Sequence, residues 1–384
     1  MKTNNTILHI SHTDIRYDSR ILKELHALDA FSGYERIGIG FELDEGASAS
    51  KEPTGFEIVT LKLFSRAFRV LPRVLRYALN FVELTAVLFF RAVQIRPTIV
   101  HCHDTLVLPA GWLIKLILGC KLIYDAHELE SNKNGQTVLL SKGTLLIERV
   151  CWKRVDLLIS VSDSILQWYR DNIGDKSAIL VLNSPELGGS TAARDDLRDE
   201  DYFHRLYSIP RDQSVFVYLG ILGPGRGIEF LLDVFSDVSL EAHVVFVGYG
   251  EFEARVALLA EKYKTIHLHP AVPHEKVVHT VRSADYGLCF VESVSLSDYY
   301  CLPNKLFEYA FAGVPVLASN FPEMERVVES YSLGICCAPD QESVRRAICS
   351  TMGSRPAKVS GDLSNLGWMA QANRLRDAYK ALLK

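Results

Sequence analysis

The stretch Leu302–Ser319, LPNKLFEYAFAGVPVLAS, sets a cation and a carboxylate three residues apart, Lys305 and Glu308. In a helix that spacing puts both on one face. A lysine near a helix start makes an anion site, because unpaired backbone N–H groups already point at the ligand there. A carboxylate one turn further on can accept both hydroxyls of a cis-diol. Phosphate plus ribose describes a nucleotide. The same spacing equally describes an ion pair on a solvated face, and spacing alone does not choose between them.

Other groups with chemistry follow strand-like runs. VFVYLG (Val215–Gly220) leads into ILGPGRG and the helix-like IEFLLDVF. There Gly223, Gly225 and Gly227 would let backbone N–H groups cradle a phosphate, and Arg226 adds a bidentate donor. Gly248 and Gly250 punctuate a second strand-to-helix turn. Nearer the start, TILHIS opens into HTDIRYDSR, which crowds His12, Asp14, Arg16, Asp18 and Arg20 at a strand end. Acceptor binding is one role for Asp14, Asp18 and Arg20; a helix N-cap at Asp18 is the other. IVHCHD and KLIYDAHELE each end in a His-acid pair, His103-Asp104 and His127-Glu128.

The elements that must position these groups repeat as strand then helix, which argues for an α/β chain with parallel sheets and right-handed crossovers. Buried-strand candidates are Thr6–Ser11, Thr98–Cys102, Lys121–Ala126, Leu157–Ser162, Ala178–Asn183, Val215–Gly220, His243–Gly248, Thr265–His269, Tyr286–Val291 and Val314–Ala318. Pro303 suits a first helical turn and Gly313 the residue past a helix end. At 384 residues the chain has room for two domains. The expected division is 1–185, a linker at 186–210, a second domain at 211–362, and a final amphipathic helix over 363–384. Forty-two Lys+Arg against 46 Asp+Glu leave a net charge of −4, which argues against general nucleic-acid binding. Eight cysteines without a C-x-x-C pair suit reduced thiols in a cytoplasm. The start, MKTNNTILHIS, has too short an apolar run for a signal peptide.

One segment is basic. Phe64–Val82 holds Arg66, Arg69, Arg73 and Arg76 with no acid, at spacings that form one stripe if the segment is helical, although Pro72 breaks or starts a helix there. With the apolar TAVLFF behind it, the segment suits contact with an anionic membrane surface; a core-packed helix with a solvated basic face is the alternative. Asn80, Glu83 and Arg91 interrupt the apolar run, which argues against a membrane span.

The Leu302–Ser319 segment resembles the donor-binding signature of GT-B glycosyltransferases, the large retaining family 4 group, in its PNK-x2-E-Y subset. IVHCHD…KLIYDAHELE resembles the family's acceptor-domain strands, and Asp18–Glu24 its D-x-R-(x)2-K-E pattern. The resemblance implies two Rossmann-like doubly wound domains facing a cleft, with the C-terminal helix crossing back to the first. It implies a nucleotide-sugar site on Pro303, Asn304, Lys305, Leu306, Glu308, Gly223, Gly225, Arg226, Gly227 and Gly250. Lys305 would meet the diphosphate, Glu308 the ribose, and His127 the donor sugar. The acceptor side would comprise Asp14, Asp18, Arg20, His103, Asp104 and Glu128. Two positions depart from the family pattern: Tyr300 stands where a first glutamate is common, with Asp298 and Glu292 nearby, and Ile221 stands where a first loop cation is common.

The implied reaction moves a hexose from a UDP- or GDP-linked donor to a lipid-linked saccharide, with retention by same-face attack. Arg226, Lys305 and two helix starts would stabilise the leaving diphosphate. No DxD-type motif is evident, Asp195-Asp196 falling in the linker, so no metal or other cofactor is expected. With the basic segment, this places the chain in surface polysaccharide assembly, cytoplasmic and peripheral at the inner membrane face. A nucleotide-sugar epimerase, or a nucleotide-sugar-binding partner subunit with little catalysis of its own, are the alternatives.

Overall fold

The computed structural model describes residues 5–42, 55–68, 70–186, 201–237, 239–352 and 357–384. Arg69, Asp195, Asp196 and most of the expected linker lie outside them. The chain forms two compact units, Met1–Asn183 with Gln371–Lys384, and Ser184–Ala370.

The first unit is built on a seven-stranded sheet in the order β3-β2-β1-β4-β5-β6-β7. Its strands are β1 (Asn5–Ile10), β2 (Tyr34–Phe41), β3 (Glu57–Leu61), β4 (Ile99–His103), β5 (Lys121–Ala126), β6 (Leu157–Ser160) and β7 (Ala178–Leu180). All pairings are parallel. The connecting helices are α1 (Ser19–Ala27), α2 (Arg73–Ile95), α3 (Leu108–Leu118), α4 (Val138–Trp152) and α5 (Asp163–Asn172). β4 and β5 are buried nearly throughout, as strands covered on both faces must be, and they carry His101, His103 and Asp125 among apolar residues. β2 and β3 were not legible in the sequence: YERIGIGF carries two glycines and a charged start, and β3 is a half-exposed edge.

The second unit has a six-stranded sheet, β10-β9-β8-β11-β12-β13, again parallel. Its helices before the second half are α6 (Tyr202–Tyr207), α7 (Ile228–Phe235) and α8 (Glu253–Lys262), interleaved with β8 (Ser214–Leu219), β9 (Ala242–Val247) and β10 (Ile266–His269). Then come α9 (His274–Val281), β11 (Tyr286–Cys289), α10 (Leu296–Tyr299), α11 (Asn304–Ala312), β12 (Val316–Ser319), α12 (Pro322–Ser330), β13 (Gly334–Cys337) and α13 (Gln341–Thr351). The last helix, α14 (Trp368–Leu382), packs from Gln371 onward with the first unit, where Tyr379 is fully buried. It starts later than the expected Leu363, after a 3-10 turn at Ser364–Leu366 and an extended Gly367.

The basic segment departs from its expected shape. Pro72, lacking an N–H, becomes the N-cap of α2, so Arg73 and Arg76 ride on that helix. Arg66 instead lies in a separate 3-10 turn, Phe64–Ala67, and does not share a helix with Arg73 and Arg76. α2 is also more apolar than Asn80, Glu83 and Arg91 suggested. Within its 23 residues an 18-residue window reaches a mean hydropathy of 1.5, which by length and composition meets that of a membrane-crossing helix. Leu84, Leu88 and Ala92 are nonetheless buried.

Candidate functional site

Two clusters sit at carboxyl ends of the parallel sheets, where doubly wound folds place ligands. In the second unit, α11 is held rigidly. The Tyr309 hydroxyl donates to the carbonyls of Val217 (3.1 Å) and Leu288 (3.4 Å), beneath β8 and β11. Gly287 makes room for that ring, since a Cβ there would meet it at 2.4 Å. Gly313 ends the helix at φ 75°, a left-handed conformation that favours glycine. Lys305 and Glu308 are thereby fixed on one turn and buried, 8% and 7% exposed, which rules out a solvated-face pair.

The Lys305 ammonium lies 3.9 Å from the centre of the Tyr218 ring. Among the described residues it has no hydrogen-bond partner. Lysine is almost never buried unless paired, so this ammonium is poised for an anion. Glu308 Oε1 is 3.6 Å from Nδ1 of His274, an exposed residue that starts α9. Pro303 is half-buried, Asn304 exposed and Leu306 buried around this helix start.

The glycine-rich loop lies between β8 and α7. Gly225 and Gly227 take positive φ, Gly223 is buried, where a Cβ would touch Ile221 at 3.7 Å, and Arg226 is exposed. The charges of Arg226 and Lys305 both bear on the thiols of Cys289 and Cys301. Gly250, at φ +147°, lets the next loop close on the first: a Cβ there would stand 2.5 Å from the Leu222 carbonyl. Not every glycine N–H is free for a phosphate. Gly227 N–H donates to Glu292 Oε1 at 3.1 Å, and Glu292 N–H to the Gly225 carbonyl at 3.0 Å. Glu292 is therefore the loop's clasp. Tyr300 closes the short α10, and Ile221 is exposed beside the loop.

In the first unit the centre is Asp125, a fully buried carboxylate in β5. Arg20 Nε and Nη2 donate to it at 3.1 and 2.9 Å, and Arg20 Nη1 donates to the Val181 carbonyl at 3.0 Å. His127 Nε2 lies 3.1 Å from Asp125 Oδ2 and 3.2 Å from His103 Nδ1. His103 Nε2 meets His9 Nδ1 at 2.9 Å, and His101 Nδ1 meets the Tyr379 hydroxyl at 2.7 Å.

Burial alone would raise Asp125, but Arg20 and then His127 hold it well below the usual carboxylate range. Burial would likewise lower His127, yet Asp104 and Asp125 together hold it up at about 10. It is an imidazolium at neutral pH. Burial keeps His9, His101 and His103 neutral, His103 at about 4. Asp104 faces His127 Nδ1 and His12 Nδ1, each at 3.7 Å, from a strained backbone at φ 69°, ψ 163°. Glu128 is half-exposed and pairs with Lys133 at 3.1 Å, which also pairs with Glu130 at 2.9 Å.

Three of the expected acceptor groups have partners within the first unit. The Asp18 carboxylate accepts from the N–H groups of Arg20 and Ile21, both at 3.1 Å, and so caps α1. Arg20 is buried, with its donors turned to Asp125, Glu24 and Val181. Asp14 is buried against Arg16. His9, His101, Asp125 and Tyr379 were not singled out in the sequence, where a histidine or aspartate inside an apolar strand carries no spacing signal.

Among the described residues two groups of side chains offer metal-ligand atoms within 4.8 Å of one another: His9, Glu24, His101 and His103, and His103, Asp125 and His127. In the first, His101 and His103 stack at 4.3 Å with planes 16° apart, and His9 lies 26–36° from each.

The profile of the family described as "Glycosyl transferases group 1" matches residues 199–358, and that of "Glycosyltransferase Family 4" matches residues 40–183. Two curated relatives are chitobiosyldiphosphodolichol beta-mannosyltransferases. The Candida glabrata protein is 22% identical over 60% of this chain and 56% of its own length. The Kluyveromyces lactis protein is 23% identical over 99% of this chain and 89% of its own length. This chain thus spans little more than half of the first relative.

Among solved structures, sucrose-phosphate synthase from Thermosynechococcus elongatus superposes with a TM-score of 0.77 at 16% identity, over 99% of both chains. Anabaena HepE in complex with UDP-glucose gives 0.70 at 11% identity, over 98% of this chain and 99% of its own. These likenesses agree with the fold built above.

Proposed function

The chain belongs to the GT-B glycosyltransferases of the family 4-like type, and from that premise we propose that it transfers a hexose from a nucleoside-diphosphate donor to a lipid-linked saccharide. The observation that carries the donor half is the buried Lys305 ammonium, unpartnered above Tyr218 with Glu308 one turn on. A diphosphate supplies the missing anion, and Glu308 can accept hydrogen bonds from the ribose diol. Arg226 and the glycine loop add donors on the other side of the phosphates. These preorganised charges stabilise the leaving diphosphate without a metal. The relatives named for a dolichol-linked acceptor support a lipid-linked one here.

In the acceptor half, His127 is a cation and so donates a hydrogen bond; it does not take a proton. It would hold a sugar hydroxyl, with Asp104 and Glu128 at its side. The acceptor proton would pass to the departing phosphate, consistent with same-face attack and retention. Arg66, Arg73 and Arg76 suit a peripheral position at an anionic membrane, as in surface polysaccharide assembly at the inner face.

The test is a thermal-shift screen against UDP, GDP, ADP, CMP and their sugars, with and without EDTA. A rise in melting temperature with one nucleoside diphosphate, unchanged by EDTA and lost in Glu308→Ala, is the expected outcome. A folded protein that responds to none of them overturns the reading.

A further inference from the structure

The arginines of α2 are one part of a wider surface. Exposed apolar side chains also line α4: Leu139, Leu146 and Val150 are 82%, 62% and 58% exposed. With Gly143 they fall at i, i+4, i+7 and i+11, one continuous stripe. Lys142, Arg149 and Lys153 flank it and are exposed. The acid of this helix, Glu148, is buried, where Tyr124 donates to it at 2.7 Å.

α3 and α4 are consecutive right-handed crossovers along β4-β5-β6, so they lie on one face of the sheet. α2 packs on α3. The layer shows Val74, Val82 and Phe90 on α2 and Ile117 on α3 as further exposed apolar groups. Its remaining acid, Glu83, accepts from the N–H groups of Phe64 and Ser65. A chain of net charge −4 thus carries a helix layer whose outward face is apolar and cationic. The starts of all three helices follow strand carboxyl ends, the edge that carries His127.

We propose that the stripe Leu139–Leu146–Val150 of α4 inserts into the acyl boundary of an anionic monolayer, in the same helix layer as the arginines of α2. This deepens the lipid-linked reading and rests on it. A lipid surface fits because apolar insertion and basic flanks are what an interfacial helix uses. A second copy of the chain would set like charges face to face, and a nucleic acid would leave the leucines unused. A bilayer at this rim delivers a lipid-linked headgroup to the edge where Asp104 and His127 sit.

The experiment is flotation of the full chain with phosphatidylglycerol–phosphatidylcholine vesicles and with phosphatidylcholine alone, for the wild type and for Leu139→Asp/Leu146→Asp. Both positions face solvent, so the variant keeps its melting temperature and its nucleotide response. Wild-type flotation that needs the anionic lipid and weakens with salt, reduced about tenfold or more in the variant, supports the insertion. Equal flotation of both proteins overturns it while leaving the arginines of α2 as the contact. A wild type that stays in solution overturns it too, and a wild-type dimer that the variant splits assigns the face to a second copy. A lost nucleotide shift in the wild type would instead fault the donor reading.

Discussion

Lys305 and Arg20 are both buried cations beneath carboxyl ends of parallel sheets, one in each unit, and they are treated in opposite ways. Arg20 has its fork filled by Asp125 and a carbonyl. Lys305 has an aromatic face and, among the described residues, no acceptor. A buried charge that is fully answered from within holds the fold; one left unanswered awaits a ligand. The contrast separates support from reception at two places that look alike in sequence, since each is a basic residue at the start of a helix.

The largest break in that comparison is Asp125→Asn. Removing one partner of a buried ion pair typically costs about 3–5 kcal/mol, because the other charge is left uncompensated. The variant would leave Arg20 and the His127 cation facing each other across a neutral amide. Chemical denaturation should show the loss in the first unit. A change below about 1 kcal/mol would mean that Arg20 finds other partners, and that the cluster is not the support described.

Lys305→Met should do the reverse. It removes a charge that folding had to desolvate without a partner, so the unliganded protein should be no less stable than the wild type. Nucleotide affinity should fall by about tenfold to a hundredfold, as expected for one charge-assisted contact of about 1.5–3 kcal/mol. Calorimetric titration with the diphosphate found in the screen checks the second half. A destabilised variant that binds normally would move Lys305 into the supporting class beside Arg20.

The sequence carried the frame of both places and little of the difference between them. β5 runs over Lys121–Ala126 as its apolar pattern requires, and His127 follows it at the strand end. The Lys305–Glu308 turn was legible because its helix is bounded by Pro303 and Gly313. Partners far away in sequence were not. Arg20 reaches Asp125 across 105 positions, and Tyr379 reaches His101 across 278. Local pattern offered two roles for Asp18 and for Pro72, and the structure takes one of each: Asp18 caps its own helix, and Pro72 starts α2 apart from the turn that holds Arg66. Glu292 was noted as a neighbour of Tyr300, while its grip on Gly227 depends on two loops meeting in space.

His127 gives the finest test, since it belongs partly to each class: supported by Asp125 from behind, and about 20% exposed in front. Its ordinary pKa of 6.5 is raised to about 10 in the fold. Below pH 6.5 the folded and unfolded chains both carry the proton, and the attraction to Asp104 and Asp125 contributes in full. Between 6.5 and about 10 only the folded chain holds it, so stability should decline with rising pH and the contribution should be gone above that range. Burial also pushes Glu24 and Glu130 above 4.5, and they bend the curve in the same direction. His127→Gln is therefore the control: it keeps a donor there and cannot titrate. Its stability should change less than the wild type's from pH 6.5 to about 10, by an amount smaller than the Asp125 loss because solvent screens an exposed edge. Parallel curves would make His127 neutral, and a neutral imidazole could take the acceptor's proton itself.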